Sequence, residues 1–184
     1  MNISAAIESG KEINKRAIKE TPLHIRPMTQ ADFQAFWPVF STIIQAQETY
    51  AFDPDMTSQM AYELWCELPL KTWVVEKDGE ILGSYYIKAN GMGPGSHVCN
   101  CGYMVNPVAR GHGLARLMCE HSQQVALESG FRAMQFNSVV STNEVAVALW
   151  KKLGFNIIGT IPEGYKHQRL GYVDCFIMHK GLCE

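Results

Sequence analysis

Six residues, Arg110-Gly111-His112-Gly113-Leu114-Ala115, carry the chain out of a strand that ends at Met104-Val105-Asn106-Pro107 and into a helix. A glycine-rich turn at a helix start leaves several backbone N–H groups unpaired and aimed at one point. The positive end of the helix dipole adds to them, and together they make a pyrophosphate site. Arg110 supplies a planar cationic fork beside it. The segment is not a P-loop, because Gly113 is followed by Leu114-Ala115 rather than Lys-Ser or Lys-Thr. Nor is it a dinucleotide fingerprint, because Arg116 stands where G-x-G-x-x-G needs its third glycine. Without a ligand, the same six residues would make an ordinary turn.

The flanking pattern alternates strands and helices. Leu23 to Arg26 reads as a strand. Asp32 to Gln45 reads as a helix, with Phe33, Phe36, Trp37 and Phe40 at helical spacing. Residues 47 to 54 read as a loop, and a second helix is expected over 58–67. Strands are expected over 72–76 and 81–88, joined by the hairpin signal Asp78-Gly79. Gly91 to Gly95 breaks the pattern before a long strand over 97–105. The helix after the glycine loop stops at Gly130. A strand over 133–139 follows, and Ser141-x-x-Glu144 reads as a capping box for a helix carrying Val145, Leu149 and Leu153. Strands over 155–159 and 173–178 close the chain. Neither repeats nor linkers appear, so one mixed α/β domain over 23–184 is expected. Residues 1–22, with Ile3, Ala6 and Ile7 on a short amphipathic turn, read as an N-terminal extension.

Composition narrows the function. A net charge of −2 gives no electrostatic case for nucleic acid or an acidic membrane. No apolar run reaches bilayer length, and the charged N-terminus lacks a signal-peptide core. The six scattered cysteines contain no C-x-x-C pair and read as reduced thiols in a cytoplasmic protein. His97, Cys99 and Cys101 alternate along one strand but lack further ligands, so no metal is expected.

The glycine loop resembles the acetyl-CoA loop of the GNAT N-acetyltransferase superfamily. Two further segments support the likeness in order. One runs from Thr142-Asn143 to Trp150-Lys151-Lys152-Leu153-Gly154-Phe155, and the other is the strand around Tyr172-x-Asp174. The resemblance implies an α/β GNAT fold, a mixed central sheet of about six to seven strands flanked by about four helices. A narrower likeness is to the yeast azetidine-2-carboxylate N-acetyltransferase branch. It rests on residues 81–90, on Ser96-His97-x-Cys99-Asn100-x-Gly102, and on Phe136-Asn137-x-Val139. That branch implies acetyl-CoA as cofactor and a small amine, such as a cyclic imino acid, as acceptor, in a monomer or homodimer.

By this resemblance, Met104, Val105, Arg110, Gly111, His112, Gly113, Leu114, Ala115, Asn143 and Trp150 face acetyl-CoA. A backbone N–H near Val105 stabilises the thioester oxygen. Asn100 and Asn137 serve the acceptor and the chemistry. Many family members place a tyrosine acid where this chain has Trp150, and an indole N–H is a poor proton donor. Candidate bases are Glu48, His97, Tyr103 and, more remotely, Asp174. Glu48 and Tyr85 complete the expected acceptor pocket. Strand alternation sends Tyr85 and Tyr86 to opposite faces, so only one of them can join it. Two alternatives remain at this point: a non-catalytic acyl-CoA-binding regulator, and an acetyltransferase acting on protein lysines or N-termini.

Overall fold

Thr29 and Asp32 open the first helix by a reciprocal cap. The Thr29 hydroxyl accepts the Asp32 N–H, and the Asp32 carboxylate accepts the Thr29 N–H. Helix α1 then runs over Gln30–Gln45 and buries Phe33, Phe36, Phe40, Ile43 and Ile44 at i, i+3, i+4 spacing. The structure is a computed structural model that describes residues 22–183. The expected N-terminal extension therefore lies, save Pro22, outside the described residues.

Seven strands form one sheet: β1 His24–Pro27, β2 Lys71–Lys77, β3 Glu80–Ala89, β4 Val98–Val105, β5 Ala133–Val140, β6 Asn156–His167 and β7 Gly171–Gly181. Their order is β1-β2-β3-β4-β5-β7-β6. Among the described residues the only parallel pair is β4–β5, joined through α3 (Leu114–Glu128). Helix α2 (Ser58–Tyr62) and α4 (Glu144–Lys152) complete the helices. The sheet is covered on both sides. Helices α1 and α2 pack with Trp65, Val74, Tyr86 and Met104 on one face. Helices α3 and α4 pack on the other, against Tyr85, Ile87, Cys99, Met134, Phe136 and Met178. Burial on both faces explains why β3 reads as an almost unbroken apolar run.

Four local expectations are corrected. The helix expected over 58–67 is α-helical only to Tyr62 and widens into a π-helical stretch over Glu63–Glu67. Ser141 does not cap α4, which starts only at Glu144, and its N–H still bonds the Asp174 carbonyl at the end of β5. Asn143 caps instead, its Oδ1 accepting the Ala146 N–H at 3.3 Å. Val145 is 83% exposed, and α4 turns Val147 and Trp150 inward. The last two strands are a long hairpin rather than two short runs. Pro162-Glu163-Gly164 looks like a breaker but sits within a register shift between Ile161 and Tyr165.

Candidate active site

Strands β4 and β5 pair only at Val98↔Ala133 and Cys99↔Met134, and then part. On the β3 side, β4 stays paired to its end. The Asn106 N–H reaches the Leu82 carbonyl, and the Asn90 N–H reaches the Val98 carbonyl. Alternation therefore commits the backbone groups of Asn100, Gly102 and Met104 to β3. Those of Cys101, Tyr103 and Val105 turn into the gap. Of the two strand residues expected at the cofactor, Val105 has backbone groups free for it, whereas those of Met104 are spent in the ladder. The Met104 side chain is core, although it also lines the cleft.

The gap is part of a cleft of about 440 Å³ that crosses the sheet. On the α3–α4 side its walls include Arg110, Ala115, Phe136, Asn143, Ala146 and Trp150. Trp150 packs at 5.2 Å from the Tyr103 ring and 5.1 Å from Phe136, so it is a wall. On the α1–α2 side the lining includes Tyr50, Phe52, Tyr86, Lys88 and Asn100.

The glycine loop sits at the α3 start. Gly113 is the N-cap residue at φ +77° and gives the helix no side-chain cap, so the first-turn N–H groups stay open. Gly111 has φ +80°, and no protein atom lies within 4 Å of where a Cβ would sit on either glycine. His112 Nδ1 lies 3.0 Å from the Arg110 carbonyl and 3.2 Å from that of Ala109, so Nδ1 carries the proton and ties the loop back. The Leu114 side chain is buried in the core, leaving only its N–H to contribute. These open donors, the exposed Arg110 and the uncovered Val105 edge fit a pyrophosphate-bearing cofactor with a peptide-like arm.

A chain of polar groups spans the gap on the other side. The Tyr86 hydroxyl donates to Asn100 Oδ1 at 3.0 Å, and Asn100 Nδ2 donates to the Gln135 carbonyl at 2.9 Å, across the first residues that no longer pair. Gln135 Nε2 donates to Asn137 Oδ1, and Asn137 Nδ2 donates to Asn90 Oδ1 at 2.6 Å. Asn137 and Ser138 fall within a register shift of β5 against β7, which aims both at the cleft. Burial pushes the Tyr86 phenol up to about 12, which keeps it protonated and donating. Its ring lies across Gly102, where a Cβ would come within 2.6 Å of it. Glycine at 102 is what allows that placement.

Tyr85 is the wrong tyrosine. It is fully buried on the α3 face, with its hydroxyl 2.6 Å from His121 Nδ1. Tyr86 takes the place expected of it. Glu48 does not line the cleft and pairs with Arg169 at 2.9 Å. His97 is exposed against the Pro94 carbonyl, and Asp174 accepts the Glu163 N–H. The Tyr103 hydroxyl meets Ser122 at 2.7 Å, and burial raises its phenol well above the ordinary range. Among the described residues, no Asp, Glu or His lines the cleft. Sequence reading missed Tyr50, Phe52 and Lys88. The available signal was an aromatic pair in a loop with no periodicity to bury it.

Comparison with known proteins settles the family. The profile described as Acetyltransferase (GNAT) family matches residues 37–155, more than half of the chain. The chain belongs to the GNAT acetyltransferase family. N-acetyltransferase aca1 of Schizosaccharomyces pombe is 30% identical over 151 residues, covering 73% of this chain and 72% of that one. Uncharacterized N-acetyltransferase YjgM of Escherichia coli is 32% identical over 124 residues, 67% of this chain and 69% of its own. Among solved structures, a GCN5-related N-acetyltransferase from Kribbella flavida superposes with a TM-score of 0.82 at 44% identity, over 86% of this chain and 97% of that one. The putative acetyltransferase yncA of Salmonella typhimurium, solved with its cofactor acetyl-CoA, shares the fold at TM-score 0.77 and 21% identity, over 89% and 96%. This GNAT protein is an acetyl-CoA-dependent N-acetyltransferase.

Proposed function

We propose that this enzyme acetylates the amine of a small, carboxylate-bearing metabolite, with four- and five-membered cyclic imino acids such as azetidine-2-carboxylate and proline-like compounds as the preferred class. The observation that carries the reading is the aromatic roof over the acceptor end of the cleft. Tyr50 and Phe52 stack at 5.3 Å, and the loop that holds them is fastened at both levels. The Tyr50 hydroxyl donates to the Tyr103 carbonyl at 2.7 Å, and the Tyr165 hydroxyl donates to the Tyr50 carbonyl at 3.2 Å. The cleft volume of about 440 Å³ is at the small end of ligand pockets. It suits a ring-sized amine better than a peptide chain. The domain assigned to this activity is 23–184, with residues 1–22 as an extension. Its free thiols, four of them buried, suit a cytoplasmic setting, as a monomer or homodimer.

Acetyl-CoA, when bound, supplies an acetyl group activated as a thioester. The α3 N–H groups and Arg110 bind its pyrophosphate, and the cleft-facing backbone of Cys101 and Val105 holds its arm. Asn143 borders that arm with the amide hydrogens its cap leaves free. The Val105 N–H is the donor placed for the carbonyl oxygen as charge develops there. Tyr86 and Asn100 orient the acceptor, with Asn137 at the mouth. Trp150 is assigned no proton transfer.

With no carboxylate or imidazole in the cleft, the amine reaches it already neutral or loses its proton to water. Thiol release measured from pH 6 to 9 with azetidine-2-carboxylate is expected to give log kcat/KM rising with a slope near 1, following the free amine. A plateau set by an enzyme group titrating near 6 would contradict this.

A further inference from the structure

We propose that Lys88 reads the acceptor's carboxylate and so determines specificity for amino acids over other amines. This deepens the reading above and rests on it. Lys88 stands directly opposite Asn100 in the β3–β4 register. Both therefore project from adjacent strands into the same end of the cleft, and both line it. The ammonium lies 5.4 Å from the centre of the Tyr86 ring, the same ring whose hydroxyl holds Asn100.

Lys88 takes part in none of the four ion pairs found among the described residues. The cleft's other charged side chain is Arg110, which belongs to the glycine loop on the opposite face of the sheet. The acceptor end thus holds one half-buried cation, with no carboxylate among the described residues to neutralise it. A small molecule entering with its own carboxylate supplies the missing charge, and a partly desolvated ion pair exceeds its value at the open surface.

The same cation acts on the amine. A positive charge a few ångströms away disfavours the ammonium form and favours the neutral nucleophile. One residue thereby rewards the carboxylate and helps to unmask the nitrogen, in a cleft that lacks a base of its own. Asn100 cannot do this. It is uncharged, and one N–H and one lone pair of its amide are already engaged within the protein.

The test compares two acceptors that differ only in charge, an imino acid and its carboxamide, by kcat/KM from thiol release. The wild type is expected to prefer the carboxylate by roughly tenfold, the scale of one charge-assisted contact. Lys88→Met keeps the apolar stem over Tyr86 and removes the charge. It should raise KM for the carboxylate about tenfold relative to the carboxamide and bring the ratio near 1. Lys88→Gln serves as a second neutral variant, and Lys88→Arg should retain the preference. A carboxylate preference that survives in both neutral variants overturns the assignment while leaving the small-acceptor reading intact. Failure of the wild type to acetylate either compound overturns both.

Discussion

Replacing Gly113 with valine is expected to weaken acetyl-CoA binding roughly 30- to 1,000-fold in a protein that still folds. The estimate is the loss of one or two hydrogen bonds to a charged group, at about 1.5–3 kcal/mol each, with partial retention of the second. No protein atom lies within 4 Å of the position a Cβ would take at 113. The added Cβ therefore meets no protein atom, and the side chain is expected to compete with the pyrophosphate for the space at the helix start. The backbone cost is separate and smaller. At φ +77° an L residue loses roughly 1–2 kcal/mol of stability. Isothermal calorimetry with coenzyme A measures the first effect, and thermal unfolding without ligand measures the second. A folded Gly113→Val variant with unchanged affinity would mean that the pyrophosphate binds elsewhere.

Asn100→Ala is expected to reduce kcat/KM for the acceptor roughly 10- to 150-fold, with coenzyme A affinity within about twofold of wild type. Asn100 is 7% exposed and joins two strands where their ladder ends. Its removal leaves the Tyr86 hydroxyl and the Gln135 carbonyl without these partners. The ring of Tyr86 is then no longer fixed by its hydroxyl, although Gly102 still leaves room for it. The cofactor side, built from the α3 N-terminus and Val105, is untouched. The steady-state constants, together with calorimetric coenzyme A affinity, separate these effects. Full kcat/KM in the alanine variant would remove Asn100 from the acceptor site.

The glycine loop and helix start were legible because they are local. Arg110 to Ala115 contains the turn, the cap position and the helix start within six residues, and nothing distant is needed to read them. The acceptor half is assembled from strands, a loop and a hairpin far apart in the chain. Alternation states that Tyr85 and Tyr86 face opposite ways, but it does not say which face receives the cleft. That depends on where α1 and α2 pack. Asn100 and Asn137 lie on the two strands that part, yet their linkage through Gln135 depends on the distance at which β4 and β5 part. The Tyr50–Phe52 pair was visible as loop aromatics, but its place as a roof was not, being set by Tyr103 and Tyr165. The closing strands were expected only over 155–159 and 173–178, and Pro162 and Gly164 interrupt the β-like pattern between them. In the sheet, a register shift takes up that irregularity.

Acetyl groups are expected to pass through this cleft to a small imino acid. One competition measures it directly. Azetidine-2-carboxylate, proline, a primary amino acid and a lysine peptide are mixed at equal concentration with limiting acetyl-CoA, and the acetylated products are quantified by mass spectrometry. Product ratios then report relative kcat/KM without separate fits. The predicted result is that N-acetylated azetidine-2-carboxylate and proline dominate, with each acetyl matched by one thiol released. A mixture dominated by the acetylated lysine peptide would contradict the account.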